Sequence, residues 1–445
     1  MADHETPASM RVFYHTFGCK ANQYDTERMR QEVEARGGET IVERSGADVY
    51  VVNTCTVTNQ ADADARRFIR RLVRENSEAQ IVVAGCSAAL KADEYRAMPG
   101  VTAVILGHDP VAVARALEPA APVQIELRSS LDRIHTEPVG GELLQARRGK
   151  ARGWLKVQDG CDRQCSFCAT RLARGQSRSR APEQVVAEAL LLSREHTELV
   201  ITGIHIGHYG KDLDPIWTLS RLVALLLDRV PDTRFRLGSI EATEIDDLLV
   251  DLLATSQGRL APHLHLPLQS GADPVLKLMR RWHTREQYRV RTLEIAERLF
   301  PLGLGADVIT GFPGETERDH DATRALIEEL PFTYLHVFPF SPRDGTVAVD
   351  LPHPVPQRVS GERSRELREL AQEKGREYRA KRIGGFAEVV VEGAAGTALT
   401  GDYLRVGVPD PAEPRALPRL PTGTLQGDAD HLYIAWSHVP SVISA

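Results

Sequence analysis

Val157-Gln-Asp-Gly-Cys-Asp-Arg-Gln-Cys-Ser-Phe-Cys168 concentrates three cysteines in a short loop. Cys161, Cys165 and Cys168 are spaced C-x3-C-x2-C and follow a mostly apolar run at 154–157, which predicts a short strand. Thiolates favour zinc, Cu(I) or iron–sulfur clusters. A closed zinc site or an ordinary 4Fe–4S site takes four protein ligands, so three cysteines leave one metal position open for a substrate or cofactor.

Spacing alone leaves two other interpretations open: a zinc site completed by a distant histidine, or three reduced cysteines without a metal. The stretch also resembles the signature of the radical S-adenosylmethionine (radical SAM) enzymes, including the aromatic Phe167 before the last cysteine. That resemblance implies a 4Fe–4S cluster on Cys161, Cys165 and Cys168. It also implies that SAM binds at the open iron, with Phe167 among the residues that contact the cofactor.

Length and composition indicate a globular protein of several domains. At 445 residues the chain exceeds what one core usually fills, which predicts two or three domains. No run of about 18 apolar residues occurs, and residues 1–10 lack the basic start and apolar middle of a signal peptide. We therefore expect a cytoplasmic protein with no membrane contact, whose six cysteines are reduced rather than paired in disulfides.

The formal net charge of -6 excludes a uniformly basic protein, yet one segment is strongly basic. Residues 147–180 hold ten basic residues against two acids. The basic residues are Arg147, Arg148, Lys150, Arg152, Lys156, Arg163, Arg171, Arg174, Arg178 and Arg180. Such a segment around a candidate metal site suits a polyanionic substrate or anionic cofactor groups, and a solvated basic loop is the alternative.

Residues 10–106 repeat one pattern three times, in which an apolar run leads to a cysteine and then to a helical stretch. The apolar runs are 11–17, 48–53 and 80–84, the cysteines are Cys19, Cys55 and Cys86, and the helices are predicted over 24–36, 60–75 and from Cys86 to about 98. A further strand is predicted at 101–106. This alternation predicts a parallel sheet covered on both faces, with ligands beyond the carboxyl ends of its strands. We expect the three cysteines to meet there; buried free cysteines are the alternative.

Three stretches of this region are similar to the N-terminal domain of the radical SAM methylthiotransferases. They are Gly18-Cys-Lys-Ala-Asn-Gln-Tyr-Asp-Thr-Glu27, Val52-Asn-Thr-Cys-Thr-Val57 and Val83-Ala-Gly-Cys86. The resemblance implies that these three cysteines hold a second 4Fe–4S cluster, again with one open iron. It further implies that this cluster carries sulfur, which one SAM methylates before a second SAM generates a radical at the other cluster.

Beyond a connector at 107–150, strand and helix signals alternate six times. Strands are predicted at 154–158, 198–202, 234–240, 263–268, 303–309 and 334–340. Pro182 followed by Glu183 predicts the start of the first helix, because proline suits a first helical turn and an acid complements the dipole there. Six units predict a parallel, partial (β/α)6 barrel with its chemistry on the loops after the strands.

Glycine-rich stretches follow several of these strands. They are Ile201-Thr-Gly-Ile-His-Ile-Gly-His-Tyr-Gly210, Ser239-Ile-Glu241, Pro267-Leu-Gln-Ser-Gly271 and Asp307-Val-Ile-Thr-Gly-Phe-Pro-Gly-Glu315. Singly, each is compatible with ordinary turn chemistry. Together they resemble the SAM-binding elements of the radical SAM barrel. The resemblance implies SAM contacts for Gly203, Ser239, Glu241, Gln269 and Gly311, with Ser239 and Glu241 facing the ribose and methionine portions and Gly311 admitting the adenine.

Four histidines near these strand ends are His205, His208, His263 and His265. Residues 263 and 265 lie on one face of their strand, since side chains alternate. No metal motif accompanies the four, so we interpret them as structural histidines with satisfied hydrogen bonds.

A long charged helix at 357–382 precedes a small all-β module with strands predicted at 386–392, 403–408 and 431–436. The module resembles the TRAM domain, an RNA-binding barrel, and a stabilising cap is the alternative. The fold class is thus α/β, with an N-terminal doubly wound parallel sheet, a central partial (β/α)6 radical SAM barrel and a small C-terminal all-β domain. The predicted divisions are 10–106 for the methylthiotransferase domain, 107–150 for the connector, 151–382 for the barrel with its terminal helix, and 383–440 for the TRAM-like domain.

The stretch His336-Val-Phe-Pro-Phe-Ser-Pro-Arg-Asp-Gly-Thr346, with those quoted above, most resembles the methylthiotransferases that act on N6-threonylcarbamoyladenosine in tRNA. The resemblance implies addition of a methylthio group to C2 of that base at position 37, in the anticodon loop. It also implies a reducing electron donor such as flavodoxin or ferredoxin and a sulfur source. No side chain is predicted as a catalytic acid, base or nucleophile, because the cofactors carry the chemistry. The alternatives are a methylthiotransferase for a ribosomal protein or for isopentenyladenosine in tRNA, and a non-catalytic, zinc-stabilised RNA-binding protein.

Overall fold

The computed structural model of the protein describes residues 9–118, 143–147, 149–392, 396–408 and 420–436. It contains two compact units, each assembled from separate stretches of the chain. The first unit consists of Met1–Leu144, Asp159–Arg178 and Ser341–Val349, and the second of Gln145–Gln158, Ser179–Phe340 and Asp350–Ala445. All six cysteines therefore belong to the first unit.

A five-stranded, fully parallel sheet in the order β2-β1-β3-β4-β5 forms the centre of the first unit. Its strands are β1 (Arg11–Thr16), β2 (Glu39–Thr40), β3 (Val49–Thr54), β4 (Gln80–Gly85) and β5 (Val101–Val104). Val51 belongs to one hydrophobic core and its neighbour Val52 to another, because side chains alternate across a strand. The sheet is buried on both faces, which confirms the predicted doubly wound arrangement.

The helices of the first unit differ from the prediction in their number and bounds. They are α1 (Lys20–Ala35), α2 (Asn59–Glu75), α3 (Cys86–Leu90), α4 (Ala92–Arg96), α5 (Pro110–Arg115) and α6 (Thr170–Arg174). The single helix predicted after Cys86 is wrong: it divides at Lys91, whose φ of -128° and ψ of 36° are not helical. Helix α5 lies in the predicted connector, where the Asp109 carboxylate caps its first turn. Residues 119–142 and 148 of that connector lie outside the described residues.

Six parallel strands in two sheets of three form the barrel of the second unit, in the orders β10-β9-β6 and β11-β12-β13. The barrel strands are β6 (Arg152–Lys156), β9 (Glu198–Thr202), β10 (Arg234–Leu237), β11 (His263–His265), β12 (Gly303–Thr310) and β13 (Tyr334–Pro339). Two short strands between them, β7 (Gln158–Asp159) and β8 (Arg178–Ser179), pair with each other. Isolated parallel bridges, Phe235 with Leu260 and Ser239 with His265, continue the order from β10 to β11. The six strands thus follow chain order, which confirms the predicted partial barrel.

Helices follow the barrel strands along the chain. They are α7 (Pro182–Leu192), α8 (Leu219–Arg229), α9 (Asp247–Thr255), α10 (Asp273–Leu278), α11 (Arg285–Arg298), α12 (Glu317–Glu329) and α13 (Gln357–Arg382). Helix α7 begins at Pro182 as predicted, and α13 has the predicted bounds. Helix α13 packs beside β13, where the Arg368 guanidinium donates to the Val337 carbonyl at 2.8 Å.

Five strands close into a small barrel at the end of the second unit, in the order β14-β15-β16-β18-β17. They are β14 (Phe386–Val391), β15 (Thr397–Thr400), β16 (Arg405–Gly407), β17 (Thr422–Gly427) and β18 (Leu432–Trp436). The sequence predicted three strands and missed β15 and β17, which are short and contain threonine and glycine. Residues 393–395, 409–419 and 437–445 lie outside the described residues.

Buried arginines join the small barrel to the end of the larger one. Arg236 donates to the carbonyls of Thr400 and Gly401 at 2.9 and 2.8 Å. Arg236 and Arg234 also bond the buried Glu198 carboxylate. Burial opposes the charge of Glu198, but the two guanidinium groups overcome it and lower the pKa of Glu198 to about 2. The small barrel is therefore anchored through groups that are costly to separate.

Candidate metal and cofactor site

Three cysteines, called here the sheet triad, follow the carboxyl ends of three neighbouring parallel strands. Cys19 follows β1 and caps α1, Cys55 follows β3, and Cys86 follows β4 and begins α3. The carboxyl ends of parallel strands lie on one edge of the sheet, so all three cysteines follow the same edge, and their binding of one metal cluster stays a prediction. Cys19 is exposed, whereas Cys55 and Cys86 are buried.

Burial dominates the protonation of the inner two thiols. It raises the pKa of Cys55 to about 11 and that of Cys86 to about 12. The Cys19 sulfur also raises both pKa values, while the Arg174 guanidinium lowers them. The three sulfurs are thus close enough to interact, and a bound metal would displace protons from the buried pair.

Two glycines shape the edge of the sheet around these sulfurs. Gly18 has a φ of +98°, and a Cβ built on it would lie 2.6 Å from the Cys55 sulfur. Gly85 has a φ of +101°, and its Cβ would lie 2.3 Å from Oδ1 of Asn53. Each therefore permits a turn and a close approach that any other residue would obstruct.

Arg174 is a buried cation beside the sheet triad, a role that no local sequence pattern indicated. Its Nε donates to the Cys86 sulfur at 3.3 Å. Its terminal nitrogens bond the carboxylates of Asp159, at 2.9 and 3.1 Å, and of Asp25, at 2.8 Å, and the side-chain oxygen of Asn22 at 2.5 Å. A guanidinium offers five donors in a fixed fork, so a lysine could not replace this network. The carboxylates of Asp25 and Asp159 offset the cost of burying the Arg174 guanidinium.

The other three cysteines, called here the loop triad, lie in a segment without helix or strand between residues 160 and 169. Cys161, Cys165 and Cys168 are all partly exposed. Backbone bonds shape the loop: the Cys161 amide donates to the Gly175 carbonyl at 3.0 Å, and the Cys168 amide donates to the Cys165 carbonyl at 3.2 Å. Desolvation, with a smaller contribution from the sulfurs of Cys168 and Cys165, raises the pKa of Cys161 to about 12. Phe167, within this loop, is partly buried.

A second buried cation, Arg343, holds the segment Ser341–Val349 in the same unit. Its guanidinium donates to the Asp62 carboxylate and the Thr56 hydroxyl, both at 2.5 Å. Thr56 follows Cys55 in the chain. Arg343 thus fixes this segment near the sheet triad. Further along the segment, the Ala348 amide donates to the carbonyl of Ser166, which lies between the cysteines of the loop triad, at 2.8 Å. One short segment therefore supports both triads.

The basic segment 147–180 is only partly a surface. Lys156, Arg174 and Arg180 are almost fully buried, and Arg180 pairs with the buried Glu188 at 2.8 Å. Arg174 and Arg180 bond internal carboxylates, so they do not offer charge to a polyanion. Of the ten basic residues, Lys150 is exposed, and Arg148 lies outside the described residues. The sequence count overstated the positive surface because it could not distinguish buried from exposed cations.

The residues predicted to bind SAM occupy loops of the second unit, except Phe167. Ser239 is exposed and its backbone pairs with that of His265. Glu241 is buried and accepts a bond from Arg281 at 2.5 Å; burial raises the pKa of Glu241 although Arg281 opposes this. Gln269 has a φ of +67°, and its backbone pairs with β12. These three residues therefore lie in loops that follow barrel strands, and their contact with SAM stays a prediction.

Two predicted glycines lie where a side chain would not fit. A Cβ on Gly203 would come within 2.8 Å of the Gln158 carbonyl oxygen. Gly311 has a φ of +71°, and a Cβ there would lie 2.4 Å from the Ser360 side chain. The Gly311 amide donates to the Glu315 carboxylate at 2.6 Å. These positions are consistent with close approach of a cofactor, and their assignment to SAM stays a prediction.

The four histidines have partners, as the structural interpretation expects. His205 and His208 both contact Glu244, at 2.8 and 3.2 Å. His263 and His265 share the Tyr334 hydroxyl at 2.8 and 3.1 Å. The sequence missed that Glu244 and Asp307 complete two clusters, because these carboxylates come from other strands and loops.

Two family models match the chain. Residues 11–107 match the model described as uncharacterized protein family UPF0004, and residues 155–327 match the radical SAM superfamily. Among solved structures, the fold resembles the radical S-adenosylmethionine methyltransferase TsrM from Kitasatospora setae, with cobalamin and a [4Fe-4S] cluster bound. That likeness has a TM-score of 0.54 and 15% identity over 77% of each chain. Barrel and cysteine loop thus define a radical SAM protein.

Curated relatives extend over both matched regions. The threonylcarbamoyladenosine tRNA methylthiotransferase MtaB of Bacillus subtilis (strain 168) is 38% identical, covering 86% of this chain and 85% of that protein. The MtaB of Rickettsia prowazekii (strain Madrid E) is 36% identical, covering 85% and 86%. The tRNA-2-methylthio-N(6)-dimethylallyladenosine synthase of Bacillus subtilis is 32% identical, covering 86% and 76%. The chain belongs to the radical SAM methylthiotransferase family, in the group of the threonylcarbamoyladenosine tRNA enzymes.

Members of this family use SAM and two 4Fe–4S clusters. Within the described part of the chain, no helix is both long and apolar enough to cross a membrane.

Proposed function

We propose that the protein adds a methylthio group to C2 of N6-threonylcarbamoyladenosine at position 37 of tRNA. The observation that carries the proposal is the presence of two separate cysteine triads in one compact unit, supported by the same buried cations. A transfer of sulfur and a methyl group to an unactivated ring carbon requires both a radical source and a sulfur carrier. Two triads supply a place for each.

The residues fit the two clusters by their donor chemistry. Cys161, Cys165 and Cys168 are assigned here to the cluster that binds SAM, and the sheet triad to the sulfur-carrying cluster. Each group offers three sulfurs, so one iron of each cluster stays open for an outside ligand. The Arg174 donor aimed at Cys86 suits a charged thiolate better than a neutral thiol.

When bound, the clusters and SAM supply one-electron cleavage of SAM and the sulfur that is transferred. The chain's own residues orient and shield these groups. Arg174 and Arg343 fix the two loops, and we assign Phe167, Gly203, Ser239, Glu241, Gln269 and Gly311 to SAM binding. Glu241, restrained by Arg281, is placed as a hydrogen-bond acceptor rather than a base.

The remaining assignments follow from the resemblance in sequence. We assign residues 10–106, 107–150, 151–382 and 383–440 to the methylthiotransferase domain, connector, barrel and TRAM-like domain. The partners are the anticodon loop of tRNA, an electron donor such as flavodoxin or ferredoxin, and a separate sulfur source. We place the reaction in the cytoplasm, where tRNA is modified.

Mass spectrometry of tRNA nucleosides from a deletion strain tests the reaction and the substrate together. The expected result is loss of methylthio-threonylcarbamoyladenosine, with its unmodified precursor accumulating. Loss of the mark from dimethylallyladenosine or from a ribosomal protein instead would reassign the substrate. Metal analysis after anaerobic purification should give about eight irons with matching sulfide; zinc without iron would refute the enzyme.

A further inference from the structure

The sheet β11-β12-β13 presents a row of polar side chains on one face, within the second unit. Asp307 is aligned with His336 across β12 and β13, and His265 is aligned with Gly305 on β11 and β12. Side chains alternate along a strand, so Tyr334, His336 and Phe338 share this face. On the opposite face Leu264, Ala306 and Val337 are buried hydrophobic residues. The polar face therefore looks away from the hydrophobic core.

Hydrogen bonds join the polar side chains into a chain. The Tyr334 hydroxyl bonds His263 and His265, and Nε2 of His265 lies 3.1 Å from Oδ1 of Asp307. Nδ1 of His336 lies 3.2 Å from the same oxygen. Exposure increases along the row: the side chains of His265, Asp307 and His336 are 9%, 27% and 53% exposed. The row thus runs from the interior to an accessible imidazole.

The two ends of the row differ in what they contact. At the inner end, the Tyr403 ring of the small barrel stacks on His263 with ring centroids 4.2 Å apart, which closes that end. At the outer end, the Phe338 ring stands edge-on to His336 at 6.3 Å and is 42% exposed. An exposed phenyl ring beside an imidazole can stack on a nucleobase while the imidazole bonds its substituent.

The candidate SAM residues flank this row. The Gln269 amide donates to the Asp307 carbonyl at 2.8 Å, and the Ile240 amide, next to Ser239, donates to the His265 carbonyl at 3.0 Å. Gly311 directly follows β12, the strand that carries Asp307. A base bound on Phe338 and His336 would therefore lie near the residues assigned to the cofactor.

Asp307 fixes which nitrogen of His336 is available. With Nδ1 bonded to the carboxylate, Nε2 is the nitrogen left for a ligand, and a proton there makes the ring a cation. Burial opposes the charge of Asp307, but the bonds from His265 and His336 overcome it, so the pKa of Asp307 lies well below its usual range. The carboxylate is thus a permanent acceptor that holds the imidazole in this orientation.

We infer that His336, oriented by Asp307, binds the carboxylate of the threonyl group and so selects the substituent on the target adenine. This inference rests on the proposed function. A threonylcarbamoyl group carries a carboxylate and a hydroxyl, whereas a dimethylallyl group is apolar. A dimethylallyl group that covered His336 would leave the imidazole donor buried and unpaired. A site built to hydrogen-bond its ligand strongly rejects a ligand that lacks the bonding group. His336 is a specificity residue and takes no part in bond breaking.

The test uses the reconstituted full-length protein and anticodon stem-loops that differ at position 37. The three stem-loops carry threonylcarbamoyladenosine, the same base with its carboxylate converted to an amide, and dimethylallyladenosine. The variants are His336→Gln, which keeps a hydrogen-bond donor but carries no charge, and His336→Lys, which supplies a cation. Arg229→Gln, at a side chain 62% exposed on α8, is the matched control.

The wild-type protein should prefer the carboxylate substrate over the amide. His336→Gln should reduce kcat/KM for the carboxylate substrate roughly 10- to 100-fold, mainly through KM, with little change for the amide. His336→Lys should recover part of the preference, and Arg229→Gln should retain all of it. Iron content and SAM cleavage without tRNA should stay at the wild-type level in each variant.

Three outcomes would overturn the inference. One is an unchanged preference for the carboxylate in His336→Gln. Another is an equal loss on the carboxylate and amide substrates, which indicates a general structural role. The third is one equivalent of a metal other than iron that disappears in His336→Gln, because the atoms of His265, Asp307 and His336 lie within 4.8 Å of one another and could bind a cation. A wild-type protein that modifies dimethylallyladenosine alone would instead refute the proposed function.

Discussion

The two cysteine triads are built in opposite ways. The sheet triad extends from three parallel strands, each in its own βα connection, and two of its sulfurs are buried. The loop triad lies within eight consecutive residues of irregular chain and all its sulfurs are partly exposed. The first depends on tertiary structure to bring its ligands together, whereas the second needs mainly local backbone bonds.

This difference matches two kinds of chemistry. A site that must admit SAM and electrons gains from exposure, while a site that holds a reactive sulfur species gains from burial, which excludes water and side reactions. The same contrast predicts that damage to the sheet should disable the sheet triad first. The predictions below use this contrast, beginning with the largest effect.

Removing one ligand from each triad should separate their roles. We expect Cys161→Ala to abolish both reductive SAM cleavage and methylthiolation, because it removes one ligand of the cluster assigned to SAM binding. Cys55→Ala should stop methylthiolation while sparing SAM cleavage. Chromatography of 5'-deoxyadenosine and mass spectrometry of tRNA nucleosides measure the two reactions; methylthiolated tRNA from the Cys55 variant would disprove the division of labour.

Arg343→Gln should destabilise the first unit by about 3–5 kcal/mol, because it leaves the buried Asp62 carboxylate without its main partner. Hydrogen exchange of α2 amides measures the local opening free energy. The double variant Arg343→Gln with Asp62→Asn should recover much of the loss, since neither charge is then left alone. Arg67→Gln, at an ion pair on the exposed side of α2, is the control and should change the opening free energy by less than about 1 kcal/mol.

Arg174→Lys keeps the charge but loses the fork of donors that joins Cys86 to both aspartates. Changing a group that hydrogen-bonds a metal ligand costs roughly 10- to 100-fold in metal affinity or activity. We expect methylthiolation to fall within that range and SAM cleavage to fall less, with an altered electron paramagnetic resonance signal from the sheet-triad cluster. Arg171→Lys, on the same helix, should leave both the signal and activity intact. Equal losses of both reactions in Arg174→Lys would contradict a preferential effect on the sheet triad.

Thr58→Ala should have the smallest effect. The Thr58 hydroxyl accepts from the Ala61 amide at the start of α2, just beyond Cys55. Loss of such a cap costs about 1 kcal/mol, so the opening free energy of α2 should decrease by that amount. SAM cleavage should change little, because the loss of one cap leaves α2 folded and the contact of its Asp62 with Arg343 in place. Thr255→Ala, at the last residue of α9, serves as the control outside the first unit.

Local patterns predicted much of the fold. Helix α13 and strand β9 have the predicted bounds because each is one uninterrupted pattern, amphipathic in the first case and apolar in the second. The cysteines were found through spacing and strand order. The contacts of Arg174 were not, since Asp25 and Asp159 lie far apart in sequence and no local rule pairs them with a given arginine. His336 was noted only within a stretch that resembles the family. Predicting its partner Asp307 would have required the register of β12 and β13.

The first unit is discontinuous in the chain, and this has a consequence for synthesis. Its sheet emerges from the ribosome early, but Asp25 and Asp62 then lack the cations Arg174 and Arg343 that neutralise them in the finished protein. The last contributing segment ends at Val349, after nearly the whole barrel has been translated. The sheet triad therefore reaches its final environment late, which favours iron–sulfur insertion into a nearly complete polypeptide rather than into a nascent N-terminal domain.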